Sequence, residues 1–368
     1  MAASKALRPG AGVGVALDTG DMTRRVIIDC DPGVDDALAL MLAHGSSELD
    51  VTAVTVVGGN QTLEKVTRNA LALTEAIGLD APVAAGAADP LERQPQTAGH
   101  VHGDTGLGQL VLAEPQAQLS DEHAVDLIIR ELRAAEPGTL TLIALGPLTN
   151  LALAAQKAPE VVERVREVVL MGGAIADGNI TPVAEFNIAV DPEAARIVFA
   201  AGWPVTMVGL DVTHQAVATQ DVERSFADLG TDAGQIAVDL ISSYRAAYQD
   251  NQDFSDPPCH DPVAVAAVIR PELLTLRRAP IDIECSGELT TGMTVVDRRG
   301  PEDPDLLTAA ATGLDVDGFW ELVLEATARL QVREGALPEA QRRIPEMVAT
   351  SDDGTQDTDD SHQPGAAR

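Results

Sequence analysis

The sequence predicts an α/β protein: a Rossmann-like open sheet, mostly parallel (mixed), flanked by helices in a single domain. Three observations carry this. Short apolar runs such as Val26–Ile28, Leu49–Val57, Thr139–Leu145 and Glu167–Met171 alternate with longer stretches of helical composition. The runs end in Gly, Asp or Asn, which form tight turns at the strand ends where open α/β sheets place their ligands. The 368-residue chain can bury a large core, yet it has no window of about eighteen apolar residues to span a membrane.

The first run, Val26-Ile27-Ile28, feeds Asp29-Cys30-Asp31-Pro32-Gly33-Val34-Asp35-Asp36 and then the apolar stretch Ala37–Ala43. This reads as a buried strand, a Pro-Gly turn and a helix. Four carboxylates so close together repel one another unless a cation neutralises them; a solvated acidic loop is the plainer alternative. Oxygen donors suit Ca²⁺, Mg²⁺ or Mn²⁺ better than zinc. The segment is no EF-hand: Val34 stands where that loop needs Gly, and Leu40 where it needs Glu. Asp-x-Asp at a strand end also resembles phosphatases with an aspartyl nucleophile. Those imply a downstream lysine, and lysine occurs only at Lys5, Lys65 and Lys157.

Leu49–Val57 is a second buried strand ending in Gly58-Gly59-Asn60, where glycine admits close backbone approach and asparagine can bond a hydroxyl. A helix is expected over Thr62–Ile77 and a short strand over Pro82–Ala85. Gly99–Gly108, with four glycines besides His100 and His102, is expected to be a mobile loop. A helix near Glu122–Glu136 leads through Pro137-Gly138 into the strand Thr139–Leu145, and Gly146-Pro147 opens another helix. Glu167–Met171 is the next strand. The loop after it, Asp177–Asn187, holds Asn179, Glu185 and Asn187, and Asp191-Pro192 then caps a helix. Trp203–Gly209 is a strand, and 221–252 is mostly helical, with Tyr244 and Tyr248 one turn apart on one face. Cys259-His260-Asp261-Pro262 starts a further helix. Strands around Ile281–Glu284 and Thr294–Asp297 and a helix from Asp317 to Arg333 complete the fold.

The stretch Asp29–Ala37 strongly resembles the N-terminal signature of the nucleoside hydrolases, calcium-dependent enzymes that hydrolyse the N-glycosidic bond of ribonucleosides. Gly58-Gly59-Asn60, the 177–187 segment and His260-Asp261 match further motifs of that family in kind and order, so the resemblance covers about 24–335. It leaves 1–23 as an N-terminal extension expected to be disordered, and 336–368 as a C-terminal extension ending in an acidic tail. The resemblance implies one Ca²⁺ held by Asp31, Asp36, the backbone carbonyl of Leu145 and Asp261. Asp31 would also take a proton from the attacking water, and His260 would protonate the leaving base. Asp35, Asn60, Asn179, Glu185 and Asn187 would hold the ribose hydroxyls. Met171 would line the pocket, His102 would close over the nucleoside, and Tyr244 and Tyr248 would lie near the base. A homodimer or homotetramer is also implied. A non-catalytic calcium or ribose-binding module would need no acid or base, and the joint presence of Asp31, Asp36, Asp261 and His260 argues against it.

Composition bounds the rest. A net charge of −32 repels nucleic acid and anionic membranes, so neither is an expected partner. Heavy Asp and Glu use with little lysine is expected of a protein working in high salt, where counterions screen self-repulsion. Residues 1–22 lack the layout of a signal peptide, and three cysteines, Cys30, Cys259 and Cys285, point to free thiols in a reducing cytoplasm.

Overall fold

The structure, a computed structural model, describes residues 23–251 and 255–339. The expectations for residues 1–22, for Gln252 at the end of the 221–252 helical region, and for the acidic tail lie outside the described residues. The described residues form ten strands: β1 (Arg24–Cys30), β2 (Leu49–Val56), β3 (Val83–Ala85), β4 (Leu140–Ala144), β5 (Val165–Met171), β6 (Val205–Val208), β7 (Leu274–Arg278), β8 (Ile281–Ile283), β9 (Thr294–Val296) and β10 (Thr308–Leu314). The α-helices of the first half are α1 (Val34–Gly45), α2 (Leu63–Ile77), α3 (Gly99–His102), α4 (Ala124–Ala134), α5 (Thr149–Lys157), α6 (Phe186–Val190) and α7 (Pro192–Ala200). They are followed by α8 (Leu210–Thr213), α9 (Gln220–Ala227), α10 (Asp232–Asn251), α11 (Asp261–Ile269) and α12 (Val316–Arg329).

Eight strands form one sheet in the order β3-β2-β1-β4-β5-β6-β10-β7, parallel throughout except for β7, which runs against β10. The order reverses between β1 and β4, the switch point at which a doubly wound sheet opens a crevice at its carboxyl edge. Side chains alternate along β1: Val26, Ile28 and Cys30 enter one core and Ile27 the other. Both faces are covered by helices, as a parallel sheet requires. Helix α1 is buried on almost every side, packed among α10, α11 and α12, which explains its unbroken apolar composition. Ala336 and Leu337 are buried against the same core, so packing continues past residue 335.

Three expectations change. The strands at 281–283 and 294–296 pair with each other as a separate antiparallel ribbon and stay out of the main sheet. The sheet is completed by β10 and β7, which the sequence did not signal. In β10, Thr-Ala-Ala-Ala-Thr-Gly-Leu carries no β-branched residue but Thr, so it has the composition of a helix. Helix α8 packs over it between the flanking strands β6 and β7, and these tertiary contacts override that preference. β7 ends in Arg277-Arg278 because it is an edge strand, half open to water. Finally, the 99–108 loop begins as the single helical turn α3, and the 221–252 helical region is divided by Gly230, with φ +63°, into α9 and α10.

Candidate active site

Five strands deliver residues to the carboxyl edge of the sheet. Asp31 follows β1, Asn60 follows β2, Leu145 follows β4, Met171 ends β5, and Thr213 lies one short helix beyond β6. Helix α11 adds His260 and Asp261 at its N-terminus. At this edge lies a cavity whose wall includes Asp35, Asn60, His102, Leu145, Met171, Asn179, Glu185, Asn187, Tyr244, Tyr248, His260 and Asp261. Asp31 and Asp36 are fully buried beside this cavity.

Carboxylates of Asp35, Asp36 and Asp261 lie within 4.8 Å of one another, all buried. Asp36 Oδ2 accepts from the Gly33 amide at 2.8 Å and from Asn60 Nδ2 at 3.0 Å, while the Asp31 amide donates to its Oδ1 at 3.2 Å. Asp31 Oδ2 accepts from the Asn60 amide at 2.6 Å, and its Oδ1 has no partner among the described residues. Burial, then the charge of Asp36, pushes the Asp31 carboxyl well above its ordinary range. Burial and the charge of Asp35 do the same to Asp36 and Asp261. Like charges out of water demand a cation. An orphaned buried oxygen beside three converging carboxylates is an all-oxygen donor set of the kind a hard divalent ion takes. Asp35 belongs to this cluster geometrically, although the sequence placed it on the ribose. The Leu145 carbonyl, expected on the metal, here accepts from Asn187 Nδ2 at 2.8 Å.

On the ribose side, Glu185 caps α6, taking the Asn187 amide on Oε1 at 2.9 Å and the Gly173 and Ile188 amides on Oε2 at 2.9 and 3.2 Å. Burial raises its carboxyl to about 7 against those three donors. Asn187 Nδ2 also reaches the Met171 carbonyl at 3.1 Å, and Asn179 Oδ1 takes the Phe186 amide at 2.9 Å. These bonds turn polar side chains of an irregular loop toward one cavity.

The opposite wall is aromatic. Tyr244 and Tyr248, on α10, pack edge to face with ring centres 4.8 Å apart, and His102 lies 5.7 Å from Tyr244. His102 Nδ1 accepts from the Val34 amide at 3.1 Å, fastening α3 to the start of α1. Burial holds this imidazole neutral, down to about 3. His260 is held at both nitrogens: Tyr248 OH lies 2.9 Å from Nε2 and Thr213 Oγ1 2.8 Å from Nδ1. Burial lowers its pKa to about 4, against an opposing pull from Asp35.

Several supporting residues escaped the sequence reading. Gly59 and Gly146 make room for Asp31: a β-carbon on either would stand 2.1 or 2.5 Å from its carboxylate oxygens. Their place at strand ends was visible, but the close approach was not. Asp29, at the end of β1, accepts from Thr55 Oγ1 and Asn150 Nδ2 at 2.5 and 2.8 Å beneath the cluster. Burial raises its carboxyl to about 7. Ile180 and Phe186 line the cavity, and Thr213 touches His260; no local pattern marks any of the three.

The family model described as inosine-uridine preferring nucleoside hydrolase matches residues 26–321. An inosine-uridine preferring nucleoside hydrolase of Crithidia fasciculata is 48% identical over 311 residues, spanning 84% of this chain and 99% of that protein. The pyrimidine-specific ribonucleoside hydrolase RihA of Photobacterium profundum is 44% identical, over 83% of this chain and 99% of its own. Among solved structures, a purine-preferring ribonucleoside hydrolase from Gardnerella vaginalis superposes with a TM-score of 0.78 at 35% identity, covering 83% of this chain and 98% of that one. Likeness of this extent, in sequence and in fold, places the chain in the nucleoside hydrolase family.

Proposed function

We propose that this ribonucleoside hydrolase splits the N-glycosidic bond at the cavity described above, using a calcium ion held by Asp31, Asp36, Asp261 and a backbone carbonyl. The observation that carries the reading is the unpaired, buried Asp31 Oδ1 beside three clustered carboxylates at the switch point of the sheet. Calcium, when bound, would supply the positive charge that acidifies and aims the attacking water. Asp31 receives the proton of that water. Asp35, Asn60, Asn179, Glu185 and Asn187 engage the ribose hydroxyls, and their oxygens favour the oxocarbenium-like charge that develops on the sugar as the bond breaks. His260, with Tyr248 beside Nε2, protonates the departing base. The products are free base and ribose, which suits nucleoside salvage.

The relatives' names span purine-preferring, pyrimidine-specific and inosine-uridine preferring enzymes, so the substrate is best sought by direct assay. Inosine, adenosine, guanosine, uridine and cytidine should be screened for release of ribose in calcium and high salt. Exhaustive chelation is expected to abolish release, and added calcium to restore it; undiminished turnover by metal-free protein would overturn the calcium assignment. We place the enzyme in the cytoplasm as a homodimer or homotetramer. Free Cys30, Cys259 and Cys285 support the first, and the family resemblance supports the second. Among the described residues, no helix is long and apolar enough to cross a membrane.

A further inference from the structure

We propose that Thr213 is the positioning residue of the leaving-group acid: its hydroxyl holds Nδ1 of His260 so that Nε2 faces Tyr248 and the cavity. The inference rests on the assignment of His260 as that acid. Thr213 is completely buried, and Nδ1 is the partner found for its hydroxyl among the described residues, at 2.8 Å. A buried hydroxyl takes whatever bond it can reach. A hydroxyl, unlike a carbonyl or carboxylate, can both donate and accept. In the acid step its oxygen accepts from Nδ1–H, and because Nδ1 keeps its proton that bond lasts before and after the Nε2 proton leaves with the base. The step balances with His260 entering as the imidazolium: the C1′–N bond breaks with its electron pair going to the base, the Nε2 proton passes to the base and leaves a neutral imidazole protonated on Nδ1, and the water oxygen bonds C1′ while its proton goes to Asp31.

The backbone around Thr213 is tied to both sides of the site. The Thr213 amide donates to the Gly209 carbonyl at 3.1 Å, and the Leu210 amide donates to the Gly173 carbonyl at 2.9 Å. The Gly173 amide in turn donates to Glu185 Oε2 at 2.9 Å. One glycine thus fixes the ribose-side carboxylate and the base-side threonine together. A second tie joins the segment after Thr213 to the one before His260: the Cys259 amide donates to the Ala216 carbonyl and the Ala218 amide to the Pro257 carbonyl, both at 2.9 Å. Hydroxyl and imidazole are therefore held in register from both sides.

The test compares a nucleoside, whose base must be protonated to leave, with 4-nitrophenyl β-ribofuranoside, whose leaving group needs no such help. Thr213→Val keeps the shape and removes the hydroxyl. It is expected to lower kcat on the nucleoside by about tenfold or more, part of the 10²–10⁴-fold that a general acid supplies, with KM little changed. The nitrophenyl substrate should lose at least about tenfold less, on the same reasoning. Thr213→Ser, which restores a hydroxyl, should recover most of the nucleoside rate. If Thr213→Val does not fold, Thr213→Ala replaces it in the same comparison. Equal losses on the two substrates, or no loss on either, would overturn the proposal. His260→Ala separates it from its premise. If that variant hits both substrates alike, the acid assignment itself falls. If it discriminates between them and Thr213→Val does not, only the positioning role is lost.

Discussion

At Asp31 the proposed chemistry depends on an atom with no partner among the described residues and on two glycines that let it sit there. Asn60 binds one oxygen of this carboxylate, and the other is the one proposed to meet a cation and a water. Gly59→Ala would set a methyl 2.1 Å from Asp31 Oδ2, with Pro147 close on another side, so the carboxylate must turn away. The expected result is a folded protein with weakened calcium affinity and ribose release lowered about 10–100-fold, the range for a disturbed outer shell of a metal site. Asp31→Ala should go further and remove activity on natural and activated ribosides alike. Wild-type calcium affinity and turnover in Gly59→Ala would show that the site relaxes without cost. Legibility at this scale is uneven. Asp31 and Asp36 stood out because four aspartates make a dense local pattern, whereas His260 and Asp261 were singled out by the order of motifs shared with a known family. Gly146 and Thr213 were not, since each is an ordinary residue whose only distinction is a neighbour far away in the chain.

Among the elements, α10 carries Tyr244 and Tyr248, and what holds it in place is an ionic clamp. Arg245 pairs with Glu223 of α9 at 2.8 Å, pairs with Asp256 ahead of His260, and donates to the Ala218 carbonyl at 3.0 Å. Its side chain is only 12% exposed, so these bonds are shielded from water more than a surface pair is. Arg245→Ala should cost about 1–3 kcal/mol of stability, because partly buried acceptors lose their donor. The same change should lower turnover, since the helix and the His260 segment lose a common anchor. A thermal melt and a ribose assay on one preparation check both, and an unchanged melt would remove the clamp from the account. The sequence predicted that a helix exists here and that its two tyrosines share a face. It carried no sign of the clamp, whose partners are 11 to 27 residues away along the chain.

For the molecule as a whole, charge is the dominant variable. With −32 to distribute, self-repulsion should weaken the fold at low ionic strength, where the Debye length reaches about 30 Å at 0.01 M. The melting temperature is expected to rise steeply with KCl into the molar range; a flat response would reduce the acidic composition to genomic bias. Protons act through the buried acids. Asp29 and Glu185, raised by burial to about 7 from ordinary values near 3.8 and 4.5, bind protons more tightly folded than unfolded. Their contribution is complete below the unfolded values and is lost as pH rises through about 7. His102 and His260 are lowered by burial from 6.5, so their effect runs the other way, but it is confined to pH below that value. Above about pH 6.5 the carboxyls act alone, and calcium-free protein should melt at lower temperature as pH rises toward 8. Calcium should stabilise it more at the upper end of that range. A melting temperature that climbs with pH in chelator would contradict the burial of these acids.

By itself the sequence determined the class of fold, the existence of its first six main-sheet strands, the acidic centre and the family, because alternating apolar runs and short motifs are local and survive in one dimension. It misassigned the far edge of the sheet, where the alanine run of β10 is a strand only because its neighbours make it one. Tertiary structure alone decided which oxygens converge, which side of Asp31 stays unpaired, and which hydroxyl meets His260. Those facts are distances between residues tens to hundreds of positions apart. They are fixed when the sheet twists its carboxyl ends together and burial removes the water that would otherwise have satisfied them.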